Sequence, residues 1–555
     1  MKKNLLTLGF IFSLITVFSQ DLKMTWSPEI KMTNKTGFFS NIIGKNDNYL
    51  YVKYITLSKI RIAAFDKISM KEKFSAPIKG FPENKATKAD FKGLQYYRTV
   101  VFKNSVYIFW IRENKEQDEL FVQSFDANLK SLKPLKKIYE LKSFKGAKKK
   151  AELFILENNS LGEKILIGGE NSGNKGDKVK VEYKILNSDF TFSNAGQAEI
   201  PVEITGRSNY LSSSYTFGDD GNLHVKSENS LTIVNLENGT KNTYVAEFTN
   251  KKIFDFDYTI DEKSIRLFGL FCDLTKDKSG SDNHGIFYAI INSTSLKLES
   301  ENFTYFTKEQ LDKLFTKDDA DRKDSKLFQS KKGKESEEES LKSSYCVDKV
   351  VKDGDDLLLV CSIMYNYYVT TTHRTSNGGT YTTSDPYCNR RNVTIFRISN
   401  KGEIEWATNI DRNITYPGHY IYDINVIRKE NLLYVTYGSN FIDNDEAKKK
   451  KCCAINIASL KEMRDKIAYA TFDVTNGVAT KKEIIINDAK TPKAERKIVN
   501  PSDINVLEGD LYLYSEKYNI HTPHNSLSLI GLLFKKGSLK IGCTSLNNTA
   551  VAPKK

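Results

Sequence analysis

The sequence predicts an all-β protein: a β-propeller of about eight four-stranded blades, seven also fitting, with a short helical and charged insertion between blades five and six. Three observations predict it. A strand–turn–strand unit with an apolar second strand recurs along the chain. The strand after that pair usually ends in Asp or Asn, and a more polar fourth strand completes the unit.

The second strands begin near Tyr49, Val106, Ile165, Leu223, Ile265, Leu357, Leu432 and Leu511, with apolar cores such as VYIF, LLLV and LYLY. The first three intervals are 57, 59 and 58 residues; later ones range from 42 to 92 as connecting loops change length. The preceding strand turns into the second through Lys103-Asn104-Ser105, Gly218-Asp219-Asp220-Gly221, Asp353-Gly354 or Glu508-Gly509, all turn-forming chemistry. Third strands end at Asp66, Asp126, Asn187, Asn235, Asn292 and Asn400. Fourth strands read LKKIYEL, GQAEIPVEI, NTYVAEF, EIEWATNI and KKEIII. The units fill the chain from about Phe38 to Ile541, and Leu22 to Met32 is placed to pair with the last one and close the ring. A series of smaller β-domains or sandwiches is the rival arrangement of the same strands.

At the start of the chain, Lys2 and Lys3 precede an apolar run from Leu5 to Phe18, with Val17 and Ser19 suited to a signal-peptidase site. Residues 1–19 are therefore expected to be a cleaved signal peptide, and 20–555 a single propeller domain that is periplasmic or extracellular. No Cys follows the apolar run to carry a lipid, and no other apolar run is long enough to span a membrane. With 12% aromatic residues and only 11 Pro among 555, the composition suits packed strands. The net charge is +14, but the basic residues are scattered and no nucleic-acid reader motif accompanies them, so specific nucleic-acid binding is not expected.

Antiparallel order puts the 1→2 and 3→4 turns at one end of every blade, and the 2→3 turns and blade-to-blade links at the other. The large insertions fall at the second end. Residues 305–344 form the charged insertion, with a short helix over Lys308 to Phe315 that carries Leu311, Leu314 and Phe315 at helical spacing. A long 2→3 loop in unit six holds Tyr365, Tyr367, Tyr368, His373, Arg374, Tyr381, Tyr387, Arg390 and Arg391. Unit seven has an insertion from Asn440 through the Lys448 run. His284, His419, His521 and His524 map to the same end as His373; His224 alone falls within a strand. Long loops on a rigid scaffold are where binding concentrates. Tyr, His and Arg supply contact area and planar hydrogen bonding. The candidate binding surface is therefore the Tyr365–Arg391 set together with His419, His521 and His524.

No nucleophile elbow, zinc-protease helix, phosphate loop or dinucleotide fingerprint is present. Catalytic residues are unassigned: Asp255, Asp257, Asp423 and Asp503 near first-strand starts are not distinguishable from turn residues. His521 and His524, with Asp282 or His284, lack the spacing of a zinc site, so no metal and no cofactor is called for. Seven cysteines leave at least one unpaired. A two-residue turn at Asp353-Gly354 would set Cys346 opposite Cys361, close enough for a disulfide.

The stretch from about Phe303 to Asp445 resembles a group of uncharacterised secreted proteins of Bacteroidota. The resemblance lies in NFTYFTKEQL, DGDDLLLVCSIMYNYYVTTT, VTIFRISNKGEIEWATNI and NLLYVTYGSNFIDND. In such relatives the phrase from Gly402 to Trp406 is followed by Ile-Pro-Lys, whereas here Ile410 is followed by Asp411 and Arg412. The resemblance implies an exported Gram-negative protein and carries no activity; Trp406 reads as a packing residue on a fourth strand.

The resulting expectation is an exported, non-enzymatic binding or scaffold protein whose loop-rich face holds an envelope protein, peptide or glycan. The alternative is a polysaccharide hydrolase or lyase with carboxylates in the central funnel. A third reading is a basic surface adhering to anionic envelope polymers, which modest salt would reverse.

Overall fold

The computed structural model describes residues 24–32, 37–55, 60–77, 93–113, 117–142, 152–158, 164–171, 178–203, 214–227, 229–261, 263–280, 282–314, 345–374, 379–417, 424–437, 466–485, 505–507, 510–518 and 537–544. Among these residues there are eight antiparallel sheets, seven of them running in chain order. Sheet 1 comprises Phe38–Lys45, Tyr49–Ile55, Ile60–Asp66 and Glu72–Pro77. Sheet 2 comprises Gln95–Val101, Ser105–Glu113, Gln117–Asp126 and Ser131–Lys142. Sheet 3 is Glu152–Asn158, Lys164–Asn171, Lys178–Leu186 and Phe192–Glu203; sheet 4 is Ser214–Phe217, Leu223–Lys226, Ser230–Val234 and Lys241–Val245. Sheet 5 is Lys251–Ile260, Ser264–Asp273, Gly285–Asn292 and Leu298–Tyr305; sheet 6 is Tyr345–Asp353, Asp356–Arg374, Thr380–Ile398 and Ile404–Pro417. Sheet 7 is Asn425–Lys429, Leu432–Tyr437, Lys466–Asp473 and Ala479–Ile485. Sheet 8 has Asn505–Leu507, Asp510–Tyr518 and Gly537–Thr544, and borrows its outer strand from Thr25–Trp26 and Ile30–Met32 at the other end of the chain.

The second strands are continuous apolar runs because both of their faces are covered. In sheet 6, Leu357 and Leu359 pack toward sheet 5 while Leu358 and Val360 pack toward sheet 7. In sheet 2, Val106, Ile108 and Trp110 face sheet 1, and Tyr107, Phe109 and Ile111 face sheet 3. Eight such clusters fill the eight gaps, including those between sheets 7 and 8 and between sheets 8 and 1. Sheets that pack pairwise and return to the first form a ring, so the protein is an eight-bladed β-propeller.

The amino-terminal strands close that ring. Thr25 pairs with Cys543, Trp26 with Gly542 and Met32 with Gly537. Ser27 adds a reciprocal contact: its N–H donates to the Ile541 carbonyl at 2.7 Å, and its Oγ accepts the Ile541 N–H at 2.9 Å.

An Asp or Asn at the end of the third strand closes the 3→4 turn in sheets 1, 2, 4, 5 and 7, whereas in sheet 6 Ser399 Oγ, and not the expected Asn400, accepts the Lys401 and Glu403 N–H groups at 3.3 and 3.2 Å. Asp66 Oδ1 accepts the Ser69 N–H at 2.8 Å, Asn292 Oδ1 the Ser295 N–H at 2.8 Å, and Asp473 Oδ1 the Thr475 N–H at 2.9 Å. These are the local turns that short Asx side chains favour. The same turns staple each sheet to the one before it. In sheets 1 to 7 the turn ends in a residue with positive φ; in four of them that residue is Met70, Leu129, Phe190 or Leu296, and in sheet 4 it is Gly239. An apolar side chain tolerates this conformation here because it drops into the gap with the preceding sheet. Sheets 6 and 7 use Gly402 and Gly477 instead, and the preceding sheet fills the vacated space. Tyr288 of sheet 5 covers Gly402 and Trp406 of sheet 6 covers Gly477. Thr304 and Thr408 then donate to the Gly402 and Gly477 carbonyls at 2.6 and 2.7 Å. The packing role expected of Trp406 is thus observed; its Nε1 also donates to the Val474 carbonyl at 3.1 Å.

Between sheets 5 and 6 lies one short helix, α1 (Lys308–Leu314). It begins with a capping box: Gln310 N–H donates to Thr307 Oγ1 at 3.2 Å, and Thr307 N–H to Gln310 Oε1 at 2.9 Å. Leu311 anchors it in the gap between the two sheets. No helix among the described residues is long and apolar enough to cross a membrane.

Candidate functional site

In sheet 6, strands two and three run 19 residues each, far past the end of strand one, where Tyr345 pairs with Ile363. Strand four accompanies them only as far as the Tyr387–Pro417 pair. Beyond that point a two-stranded ribbon projects from the 2→3 end of the propeller. The stretch from Tyr365 to Arg391, expected as a loop, is therefore a β-hairpin. The reason lies in its own residues: Thr371 pairs with Thr383, Thr372 with Thr382 and His373 with Tyr381, so β-branched and aromatic residues face one another across the strands.

Tyr368 and Tyr381 are 63% and 53% exposed, values that make them contact candidates and not core residues. The His373 ring stacks on Tyr381 with centroids 4.9 Å apart, and its Nε2 lies 3.0 Å from Thr383 Oγ1. Thr370, Thr371 and Thr372 are all exposed, so both faces of the ribbon meet water.

At the root of the ribbon the chemistry reverses. Arg390 is fully buried and forms an ion pair with Asp348, whose side chain is 2% exposed. Arg390 Nη1 also approaches Cys346 Sγ at 3.7 Å, and Ser362 Oγ donates to the second Asp348 oxygen. Arg390 thus belongs to the foundation of the hairpin and not to a contact surface. Arg391 is half-buried and donates through Nε to Asn389 Oδ1 at 2.6 Å; Arg374 is exposed near the tip.

The Asp348 carboxylate sits at a β-bulge, the register shifting between Val347 and Lys349. Across the seam, Asp255 sits at a second bulge with φ of 47°, and its Oδ2 accepts the Val347 N–H at 3.0 Å. Bulges re-aim side chains, and here two innermost strands use them to bring carboxylates toward one seam. Asp255 is open to water on one side and crowded by protein on the others. That partial desolvation, reinforced by Asp348, holds its carboxyl above the ordinary carboxylate range. Asp257 forms an ion pair with Lys226 at 3.1 Å.

The innermost strands of other seams are tied in the same sense. Arg98 Nη1 donates to the Ile155 carbonyl at 2.7 Å, and Asn158 Nδ2 to the Phe217 carbonyl at 3.1 Å. Each is a side chain of one sheet satisfying the inner backbone edge of the next.

The expected Cys346–Cys361 bond is absent; both thiols are free. The turn residues are Gly354 and Asp355, one place later than expected, and the bulge at Asp348 shifts the register again. Cys346 consequently pairs with Ser362, and Cys361 with Val347. Burial pushes the Cys346 thiol up to about 12, Asp348 adding to the effect, so it stays protonated.

Two histidines placed by the sequence are buried. His284 is 4% exposed, and its Nδ1 accepts the Asp273 N–H at 3.2 Å. His224 has Nε2 within 2.9 and 3.0 Å of the two Asp220 oxygens and stacks on Tyr258 with centroids 5.5 Å apart. His419, His521, His524, Asp423, Asp503 and the Lys448 run lie outside the described residues, as do residues 1–19 and most of the charged insertion; for Tyr365 and Tyr367 the backbone alone is described. Among the described residues no three His, Cys, Asp or Glu side chains gather as a metal ion would require.

The sequence did not single out Asp348. Its signal, an acid amid YCVDKVV where strand alternation is otherwise regular, acquires meaning only through the bulge.

No protein-family model matches the chain, and no curated protein matches it. Its backbone has distant likenesses among solved structures. One is a post-proline cleaving enzyme from Rickettsia typhi, with 11% identity and a TM-score of 0.35 over 87% of this chain and 58% of that one. A second is the S. cerevisiae core factor, with 9% identity and a TM-score of 0.31 over 98% and 64%. A third is the Dos1 propeller, with 11% identity and a TM-score of 0.27 over 48% and 58%. The chain spans about three fifths of the length of these solved chains. The likenesses are too distant to carry an activity, and the functional reading rests on this chain's own geometry.

Proposed function

We propose that this propeller is an exported, non-enzymatic binding or scaffold protein that holds a protein, peptide or glycan of the cell envelope with the hairpin of sheet 6. The carrying observation is the ribbon itself: a rigid, buried root at Arg390 and Asp348 presents exposed Tyr368 and Tyr381 well beyond the sheet. A two-stranded ribbon with both faces in water is marginal on its own, so a binding role accounts for its length. Export is supported by Lys2, Lys3, the apolar run to Phe18 and Ser19, and the Bacteroidota-like phrases agree with it. The test replaces Tyr368–Pro386 with Asn-Gly, which closes the strands at the Tyr367–Tyr387 pair. Affinity capture from native envelope extracts should be lost while the thermal melt is retained. Capture that survives the replacement refutes the proposal.

A second reading, action on a polysaccharide, is favoured by one observation: Asp255 and Asp348 lie on facing innermost strands. Asp348, however, is sealed by Arg390 and Ser362, leaving Asp255 alone to meet a substrate. Two positioned carboxyl groups are required for glycoside hydrolysis. Turnover of any glycan that disappears in Asp255→Asn would restore this reading.

A further inference from the structure

Among the described residues no strand lies beyond the edge of the sheet 6 hairpin formed by Val369–His373; the first strand is described from Tyr345, which pairs with Ile363. We propose that this edge pairs with its counterpart in a second copy of the chain, antiparallel about a two-fold axis through Thr371. The proposal rests on the reading of the hairpin as a contact surface and names its occupant.

Proteins normally protect an edge strand with charge, proline, glycine or a bulge. The run Val369-Thr370-Thr371-Thr372-His373 has no Lys, Arg, Asp, Glu, Pro or Gly, and its pairing to the other arm is regular throughout. Across the same rungs the opposite arm carries two such guards, Asp385 and Pro386, which pair with Val369 and Tyr368 near its root. From Tyr368 to His373 the first arm is therefore without a guard along its whole length, and the second is guarded at its root.

Self-pairing is favoured by the residues this symmetry would oppose. Centring on Thr371 sets Thr371 against itself, Thr370 against Thr372, and Val369 against His373. A hydroxyl both donates and accepts, so a threonine is its own complement, and facing threonines are favourable cross-strand pairs. Arg374 falls opposite Tyr368, so no like charges meet. The region also minimises the repulsion that a chain of net charge +14 exerts on its copy. Of the 23 residues from Tyr365 to Tyr387, only Arg374 and Asp385 are charged, whereas 27% of the whole chain is. Five of those 23 are Tyr, and charge depletion with tyrosine enrichment characterises interface centres. A two-fold contact closes on itself, giving a dimer and not a filament.

Light scattering coupled to size-exclusion chromatography, on the chain without residues 1–19, tests the inference. The expected result is a dimer whose proportion rises with concentration and changes little with salt. Thr371→Pro and Thr370→Lys/Thr372→Lys, which set prolines or lysines against each other, should each give monomers with an unchanged melt. A wild-type monomer at about 100 μM, the middle of the range in which weak specific pairing is populated, overturns the inference. So does a dimer that persists when Tyr368–Pro386 is replaced by Asn-Gly. A monomer that still captures an envelope partner through the hairpin would overturn self-pairing alone and leave the binding reading standing. A wild-type dimer that captures no envelope component would do the reverse.

Discussion

The backbone N–H of Val347 donates to the Asp255 carboxylate across the seam between sheets 5 and 6. The contact depends on a bulge in each innermost strand, and it satisfies a backbone group that faces the axis with no strand to pair it. Because crowding raises the Asp255 pKa on folding, the folded state holds this proton more tightly than the unfolded chain. Stability contributed here is full below the unfolded carboxylate value and falls as pH rises through the folded one. Asp255→Asn keeps an acceptor oxygen and tolerates the positive φ. It should remove that decline, leaving a variant at least as stable as wild type at pH 7. Urea titrations across pH 4 to 8 read the difference; a parallel pH profile would show that Asp255 is not the group responsible.

Asp220 behaves in the opposite sense. Burial alone would raise its carboxyl, but the His224 ring, the Asn222 N–H and the Asn222 amide outweigh it, and the net position is below the ordinary value. A depressed folded pKa contributes stability above the unfolded carboxylate value, lost as pH falls through the folded one. Asp220→Asn should flatten the acid limb of the stability profile below about pH 4, where unfolded aspartates titrate. An unaltered acid limb would assign that loss to other carboxylates.

The Asp348–Arg390 pair should be costly to halve. Arg390→Met strands a buried carboxylate and should destabilise by roughly 3–5 kcal/mol. Replacing both, Asp348→Leu with Arg390→Met, should recover much of that loss, since an apolar pair carries no desolvation cost. Denaturant midpoints for the two singles and the double form the cycle that decides it.

At the sheet 6–sheet 7 seam, Gly477→Ala introduces a Cβ only 2.6 Å from the Trp406 ring at a φ of 72°. The combined strain and overpacking should cost roughly 2–4 kcal/mol. Trp406→Leu should relieve the clash but not the φ, so the double variant should recover part of the loss. Full additivity in thermal melts would mean that the two residues do not share the space described.

Ring closure by the amino-terminal strands predicts an unusual sensitivity at Met32. It is almost fully buried between sheets 8 and 1, and its Sδ accepts the Phe39 N–H at 3.5 Å. Met32→Ala should cost roughly 2–4 kcal/mol. Removing residues 24–32 should cost more, because Leu539 and Ile541 then lose their cover. A deletion variant with a wild-type melt would show that the ring does not depend on this closure.

Much of this architecture was legible as sequence. Apolar runs such as LLLV and VYIF announce strands covered on both faces, and terminal Asp or Asn residues announce the 3→4 turns, because those signals arise from neighbouring residues. Even the closing segment up to Met32 was placed correctly, since eight units with one strand missing need it. Tertiary structure alone decided the rest. The Tyr365–Arg391 stretch carries the Gly, Ser and Thr of a loop, and only its pairing across the hairpin, from Met364–Arg390 out to Arg374–Thr380, makes it strand. The Cys346–Cys361 pairing failed by one residue because the turn falls at Gly354 and Asp355, one place later than the local pattern suggests, and the bulge at Asp348 takes back only half of that offset. Arg390 reads as a surface cation until Asp348, 42 positions earlier, is seen to neutralise it in a dry seam. Turns and strand periodicity are short-range and written residue by residue, whereas register, bulges and buried charge are settled only when separate blades meet.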